Sequence, residues 1–200
     1  MSREIVFEAP EHIINVPLDD DAGAIVAAHQ AMGRFTTALS RGDAEFEERV
    51  FTGLSTLARE SQVDDLFVVV PPPPELGALG VITLRYYAGA RREDIDDLVN
   101  ESAGGERFVL EQPDVSVRAT RMGDATRNLL RYTVGEAPKP RRIRKSDLRI
   151  TEQLSWYWYL EDPDGSSAII NLTSLSHELD VAVLIRPVID RFATERISFA

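Results

Sequence analysis

The stretch Leu154-Ser155-Trp156-Tyr157-Trp158-Tyr159-Leu160 carries the clearest period of two in this chain. As a strand it sends Leu154, Trp156, Trp158 and Leu160 to one face and Ser155, Tyr157 and Tyr159 to the other. The first set is core material, able to bury on the order of several hundred Å2. The two tyrosines are amphipathic and suit an interface or a ligand cleft. Downstream, Asp162-Pro163-Asp164-Gly165 is a strong turn signal, so residues 168 to 172 return antiparallel as a hairpin partner. That hairpin points to an antiparallel sheet.

Further strands are expected upstream. Leu66-Phe67-Val68-Val69-Val70 is an apolar run stopped by Pro71-Pro72-Pro73-Pro74, which supply no ladder donors and read as a stiff connector. Residues 80 to 88 alternate, placing Ile82, Leu84 and Tyr86 on one face and Val81, Thr83, Arg85 and Tyr87 on the other. Strands are also expected at 108 to 111, 115 to 121 and 127 to 134, with Gly123-Asp124 as a turn. Residues 3 to 8 and 12 to 18 read as two strands or an extended entry segment.

Helices come between and after these strands. Behind Asp19-Asp20-Asp21, a stripe of Ile25, Ala28, Met32, Phe35 and Leu39 predicts one helix; after Asp43, a stripe of Phe46, Val50, Leu54 and Leu57 predicts a second. Residues 21 to 60 are therefore expected to be a helical pair. Residues 92 to 102 form a short helix with Ile95, Leu98 and Val99 inward, ended by Gly104-Gly105. The last helix opens at Ser176 or His177 with Val181, Leu184, Val188 and Phe192 inward, and Pro187 kinks it or begins its regular part. The expected fold class is α+β: one domain over residues 1 to 200, a mostly antiparallel sheet flanked by helices, with the 21 to 60 pair packed on or inserted in the scaffold.

Composition narrows the function classes. With 200 residues, 44% hydrophobic and 28% charged, the chain suits one globular domain. It has no cysteine, which excludes disulfides, thiol nucleophiles and cysteine-ligated metal. A formal charge of −11 repels nucleic acid and anionic membrane. The exception is the segment 139 to 149, where Lys139, Arg141, Arg142, Arg144, Lys145 and Arg149 face a single acid, Asp147. This strip could dock an acidic partner, or be a solvated loop. The first residues lack a basic region followed by an apolar run, and no apolar block approaches the length of a membrane span. The expected compartment is the cytoplasm, with no membrane insertion.

From about residue 62 onward the succession resembles the Mog1/PsbP-like family of α/β/α sandwiches. The likeness rests on Arg131-Tyr132-Thr133-Val134, the variable loop after it, the Trp156 strand, the Asp164-Gly165 turn, the strand from Ile169 to Thr173, and the closing Ile189-Asp190-Arg191-Phe192 and Ile197-Ser198-Phe199. It implies a scaffold used for binding, as partner to a small GTPase, photosystem subunit or secretion chaperone, and it nominates no catalytic residue.

Motifs for chemistry are missing from the sequence. His12, His29 and His177 share no metal-binding spacing, and His29 and His177 suit a boundary and a capping role. There is no G-x-S-x-G elbow, S-x-x-K pair or phosphate-binding glycine motif. The acids at 19 to 21 and 93 to 97 sit where helix dipoles favour them. The reading is a non-catalytic adaptor or chaperone with no cofactor, binding a protein partner through Tyr157, Tyr159, Arg85 and Arg131 on the sheet and Arg142 and Arg144 in the basic strip. The alternative is a small-molecule binder or enzyme with a pocket between the sheet and the N-terminal helices.

Overall fold

In a computed structural model, the described residues are 5–10, 12–32, 44–69, 80–102, 107–134 and 150–200. The proline run and the basic strip, with Arg142 and Arg144, lie outside them, as do Phe35, Leu39 and the Gly104-Gly105 helix stop. Among the described residues, ten strands and four helices follow in the order β1 (Ile5–Phe7), β2 (Ile13–Val16), α1 (Asp21–Met32), α2 (Ala44–Glu60), β3 (Asp65–Val69), β4 (Gly80–Ala88), α3 (Asp94–Ser102), β5 (Arg107–Val109), β6 (Asp114–Thr120), β7 (Gly123–Val134), β8 (Ile150–Glu161), β9 (Ser167–Ser176), α4 (Leu179–Glu195) and β10 (Ile197–Phe199). The class is α+β. Every strand pair is antiparallel.

The main sheet has eight strands in the order β2-β3-β4-β9-β8-β7-β5, with β6 also paired to β7. The expected parities of β4 and β8 hold, because a pleated strand must alternate its side chains and the registers lock them: Leu84 opposes Leu172, which opposes Trp156, while Arg85 opposes Asn171, which opposes Tyr157. The β8–β9 hairpin turns at Asp162 to Ser166, where Gly165 takes φ +83 and its N–H donates to the Asp162 carbonyl at 2.9 Å.

One face of this sheet is the main core. Phe67, Ile82, Leu84, Leu154, Trp156, Trp158, Ile170 and Leu172 are buried there against Ile185, Ile189, Phe192 and Ala193 of α4. Phe7, Phe67 and Phe192 form an aromatic cluster with centroids 5.4 to 6.5 Å apart, so the short β1–β10 ribbon closes the end of the same core. Burying each such ring stabilises by roughly 2 to 3 kcal/mol. Two arginine–carboxylate forks hold α4 down: Arg186 on Glu152 of β8, and Arg127 of β7 on Asp190 at 2.9 and 3.1 Å.

On the opposite face, α1 and α2 cover the β2–β3 end through Ala24, Ala27, Ala28, Phe51 and Ala58, which pack on Ile14, Val16, Leu66 and Val68. Towards the other end, α3 lays Ile95, with Leu98 and Val99 beside it, over Tyr157 and Ile169.

Three expectations need correction. The fully buried residues of α4 are Ala182, Ile185, Ile189, Phe192 and Ala193; of the expected set Phe192 holds, Val181 and Val188 are partly buried against the same core, and Leu184 is 48% exposed. In α2 the fully buried line is Phe51, Ser55 and Ala58, with the expected Val50 and Leu54 partly buried against the same cluster and Leu57 60% exposed. In both helices small residues lie at the close contact, where a sum of hydrophobicity overlooks them. The β6–β7 turn has Arg121-Met122 at its tip, because Thr120 pairs with Gly123, whose φ of +109 suits a glycine. The side chains of Met32 and Phe46 lie outside the description.

Candidate functional site

The face opposite the main core is not uniformly apolar. Across β4, β9, β8 and β7, register sets up successive rows: Val81, Leu175, Gln153 and Leu130; then Thr83, Thr173, Ser155 and Asn128; then Arg85, Asn171, Tyr157 and Thr126; then Tyr87 and Ile169 beside Tyr159. Two polar rows thus cross the middle of a sheet whose other face is mainly aliphatic and aromatic, its charges Arg127 and Glu152 being paired with α4. The helices α1 and α2 stop on one side of these rows and α3 stands on the other. Between them lies an open trough of about 430 Å3, with Leu54, Leu57 and Val81 on one wall and Leu98 on the other.

The floor is a directed hydrogen-bond chain. Gln153 Nε2 donates to Ser155 Oγ at 3.1 Å, and Thr173 Oγ1 donates to Asn171 Oδ1 at 3.1 Å. The 3.0 Å contact between the two hydroxyls must therefore run from Ser155 to Thr173. Asn171 Nδ2 closes the chain on the Trp156 carbonyl at 3.3 Å. This order holds side chains that would otherwise be costly in a sheet interior. It leaves the second Asn171 N–H and the Gln153 carbonyl oxygen outside the chain.

Arg85 enters from β4. The end of α2 shapes its surroundings: Gln62 takes φ +54, Val63 N–H reaches back to the Ala58 carbonyl at 2.9 Å, and the chain leaves the helix with the Ser61 carbonyl accepting from Arg85 Nη2 at 3.2 Å. Arg85 Nε is buried without a hydrogen-bond partner. On the far wall, Ser102 Oγ donates to the Leu98 carbonyl at 2.8 Å, so in its 3.1 Å contact with Tyr157 the phenol is the donor. Arg107 bonds the Ser102 carbonyl and lies 4.8 Å from the centre of the Tyr132 ring. Burial pushes the Tyr132 phenol above its ordinary value, with Arg107 pulling the other way.

The arrangement suits binding of a molecule with an apolar part and a hydrogen-bonding or anionic head. Guanidinium, amide and phenol groups point to recognition, and no histidine lines the trough. His29 instead bridges α1 to α2 through Glu48 at 2.7 Å, and His177 Nδ1 meets Thr151 Oγ1 at 3.0 Å. Among the described residues no group of three or more histidine and carboxylate side chains could hold a metal ion.

The residues expected to form a sheet surface are divided. Tyr157 is 3% exposed, because α3 covers it, so it is no open docking surface. Tyr159 is half-buried in the same cluster. Arg85 shares the Tyr157 face with Asn171 between them. Arg131 does not: it opposes Glu152, on the Trp156 face, and is tied to Glu152 and Glu111 at 2.8 and 2.7 Å. Sequence reasoning missed Gln153, Asn171 and Thr173. The available signal was their period of two with Ser155 and Tyr157 and with Ile169, which put polar groups on a face that helices would partly cover.

No protein-family model and no curated protein matches this chain. No helix among the described residues is long and apolar enough to cross a membrane.

Proposed function

We propose that this protein is a non-catalytic binder of a small amphipathic molecule, held in the trough between α2 and α3. The observation that carries the reading is the set of polar groups Thr83, Thr173, Arg85, Asn171 and Tyr157 at the base of walls that carry Leu54, Leu57 and Leu98 together with Ser61, Glu101 and Arg107. Small-molecule sites are usually clefts of about 300 to 1,000 Å3 with a few fixed polar groups; this trough falls in that range and is more polar than most. The aliphatic part of the ligand lies along Leu54, Leu57, Val81 and Leu98, and its polar head meets Arg85, Asn171 and Gln153. The half-open mouth and the exposed Leu57 suit a chain-like ligand whose tail extends beyond the sheet.

The scaffold supports binding rather than chemistry. Helices on both faces of an antiparallel sheet are the arrangement expected of the Mog1/PsbP-like sandwich, a fold used for binding, and we place this chain in that class as part of the proposal. An adaptor using the Tyr157 face is disfavoured, since its central tyrosine lies under α3.

The test is native mass spectrometry of the protein as purified, together with thermal melting in the presence of octanoate and decanoate. Bound mass or a rise in Tm is expected for the parent and is lost in Asn171→Leu and Arg85→Leu. A protein that carries no small molecule and melts unchanged with both carboxylates and the matching alcohols would remove the reading.

A further inference from the structure

The strand β6, Asp114-Val115-Ser116-Val117-Arg118-Ala119-Thr120, pairs only with β7 among the described residues. Its outer edge is a row of backbone groups of the kind that proteins usually cover or blunt. Here the exposed face carries Val115 at 50% and Val117 at 67% exposure. The other face carries Asp114, Ser116 and Arg118, on the side where α4 packs.

We propose that this edge pairs antiparallel with the same edge of a second copy, across a two-fold axis at Ser116. Two features support that register. The first is backbone direction. In a two-residue hairpin the closing pair exchanges its hydrogen bonds, so Thr120, Arg118, Ser116 and Asp114 direct their N–H and C=O groups towards β7. Val115 and Val117 direct theirs outward, and centring on Ser116 sets Val115 against Val117 of the partner subunit as a hydrogen-bonded pair.

The second is charge. The same register sets Asp114 against Arg118 of the partner subunit on both sides of the axis, at the closer, non-hydrogen-bonded positions. Centring on Val117 would oppose Asp114 to Thr120 and Arg118 to Ser116, leaving both charges without ionic partners across the interface. Centring on Arg118 would set that cation against itself. The axis sets the two Ser116 positions opposite each other as a non-hydrogen-bonded pair. Such a contact is isologous, as two-fold interfaces must be, and joins two sheets into one.

Sedimentation equilibrium on the full chain tests the contact. A reversible dimer is expected, weakened roughly tenfold or more by Arg118→Asp, which places like charges opposite one another twice. The double variant Asp114→Arg with Arg118→Asp restores the pairing with reversed signs. Because the chain has no cysteine, Ser116→Cys gives a second reading: oxidation should link two copies, since opposed non-hydrogen-bonded positions meet disulfide geometry, whereas Val117→Cys should not. Melting curves identify any variant that fails to fold, and the Ser116→Cys result then stands alone. A chain that stays monomeric at every concentration, a dimer indifferent to Arg118→Asp or not rescued by the double variant, or readier cross-linking at Val117 than at Ser116 would each overturn the proposal.

Discussion

Arg186 of α4 grips the Glu152 carboxylate of β8 at 2.7, 2.8 and 3.0 Å, and Glu152 is 3% exposed. Arg131 adds a third arm at 2.8 Å from the neighbouring strand. Removing the anion leaves two guanidinium groups without their shared partner. Glu152→Gln is therefore expected to lower stability by about 3 kcal/mol in urea unfolding, as for other broken buried pairs. Replacing Glu152 and Arg186 together by leucine should recover much of that loss. An equal loss in the double variant would show that the penalty comes from losing the fork itself rather than from unpaired guanidinium groups.

The Thr173 hydroxyl accepts from Ser155 and donates to Asn171 in the trough floor. Thr173→Val keeps the shape and breaks both links, so it should cost about 1 to 3 kcal/mol. Thr173→Ser should cost much less, as it preserves the hydroxyl. Urea unfolding of the two variants side by side checks this.

Two glycines within helices should respond oppositely to alanine. Gly53 in α2 is exposed, and an added Cβ meets nothing within 4 Å, so Gly53→Ala should stabilise by about 1 kcal/mol. Gly23 in α1 would bring its Cβ to 2.8 Å from the Pro17 Cβ, a rigid ring atom. Gly23→Ala should therefore lower Tm despite the gain in helix propensity.

Asp65 shows the reverse of a stabilised carboxylate. Burial, and then the charge of Asp64, raise its pKa above the ordinary 3.8, against a lowering contribution from the Tyr86 hydrogen bond. Burial and the same carboxylates also push the Tyr86 phenol well above its ordinary value, so it stays protonated as the donor. The folded state thus binds the Asp65 proton more tightly than the unfolded chain does. Its contribution to stability is complete below the unfolded value and is lost as pH rises through the folded one. Asp65→Asn, which keeps an acceptor for Tyr86, should be more stable than the parent at neutral pH. The difference should shrink as the pH falls through the raised folded value and be gone below the ordinary 3.8. Denaturant midpoints across that range measure it.

Much of the sheet was legible because strand parity is local. Trp156 and Trp158 must share a face whatever surrounds them, and so must Thr83 and Arg85. The phases of α2 and α4 were less legible. The run from Val181 to Phe192 is apolar on more than one helical face, and the close positions went to Ala182, Ile185 and Ile189 in the packing under which Arg186 reaches Glu152. Ser55, a polar residue outside the apolar stripe, is buried with its hydroxyl donating to the Pro17 carbonyl at 3.3 Å.

The sequence by itself determined the alternation along β4 and β8, the turn at Asp162 to Ser166 and the α+β class, since each depends on neighbours a few residues apart. Only the tertiary structure decided that Tyr157 lies under α3, that Arg131 turns to Glu152 while Arg85 turns to the trough, and that Asn171 joins Gln153 in one hydrogen-bond chain. Those relations depend on which strands become neighbours and where helices from distant parts of the chain come to rest on them. Pairing order and helix placement are set by the packing of the whole domain, so no local pattern encodes them.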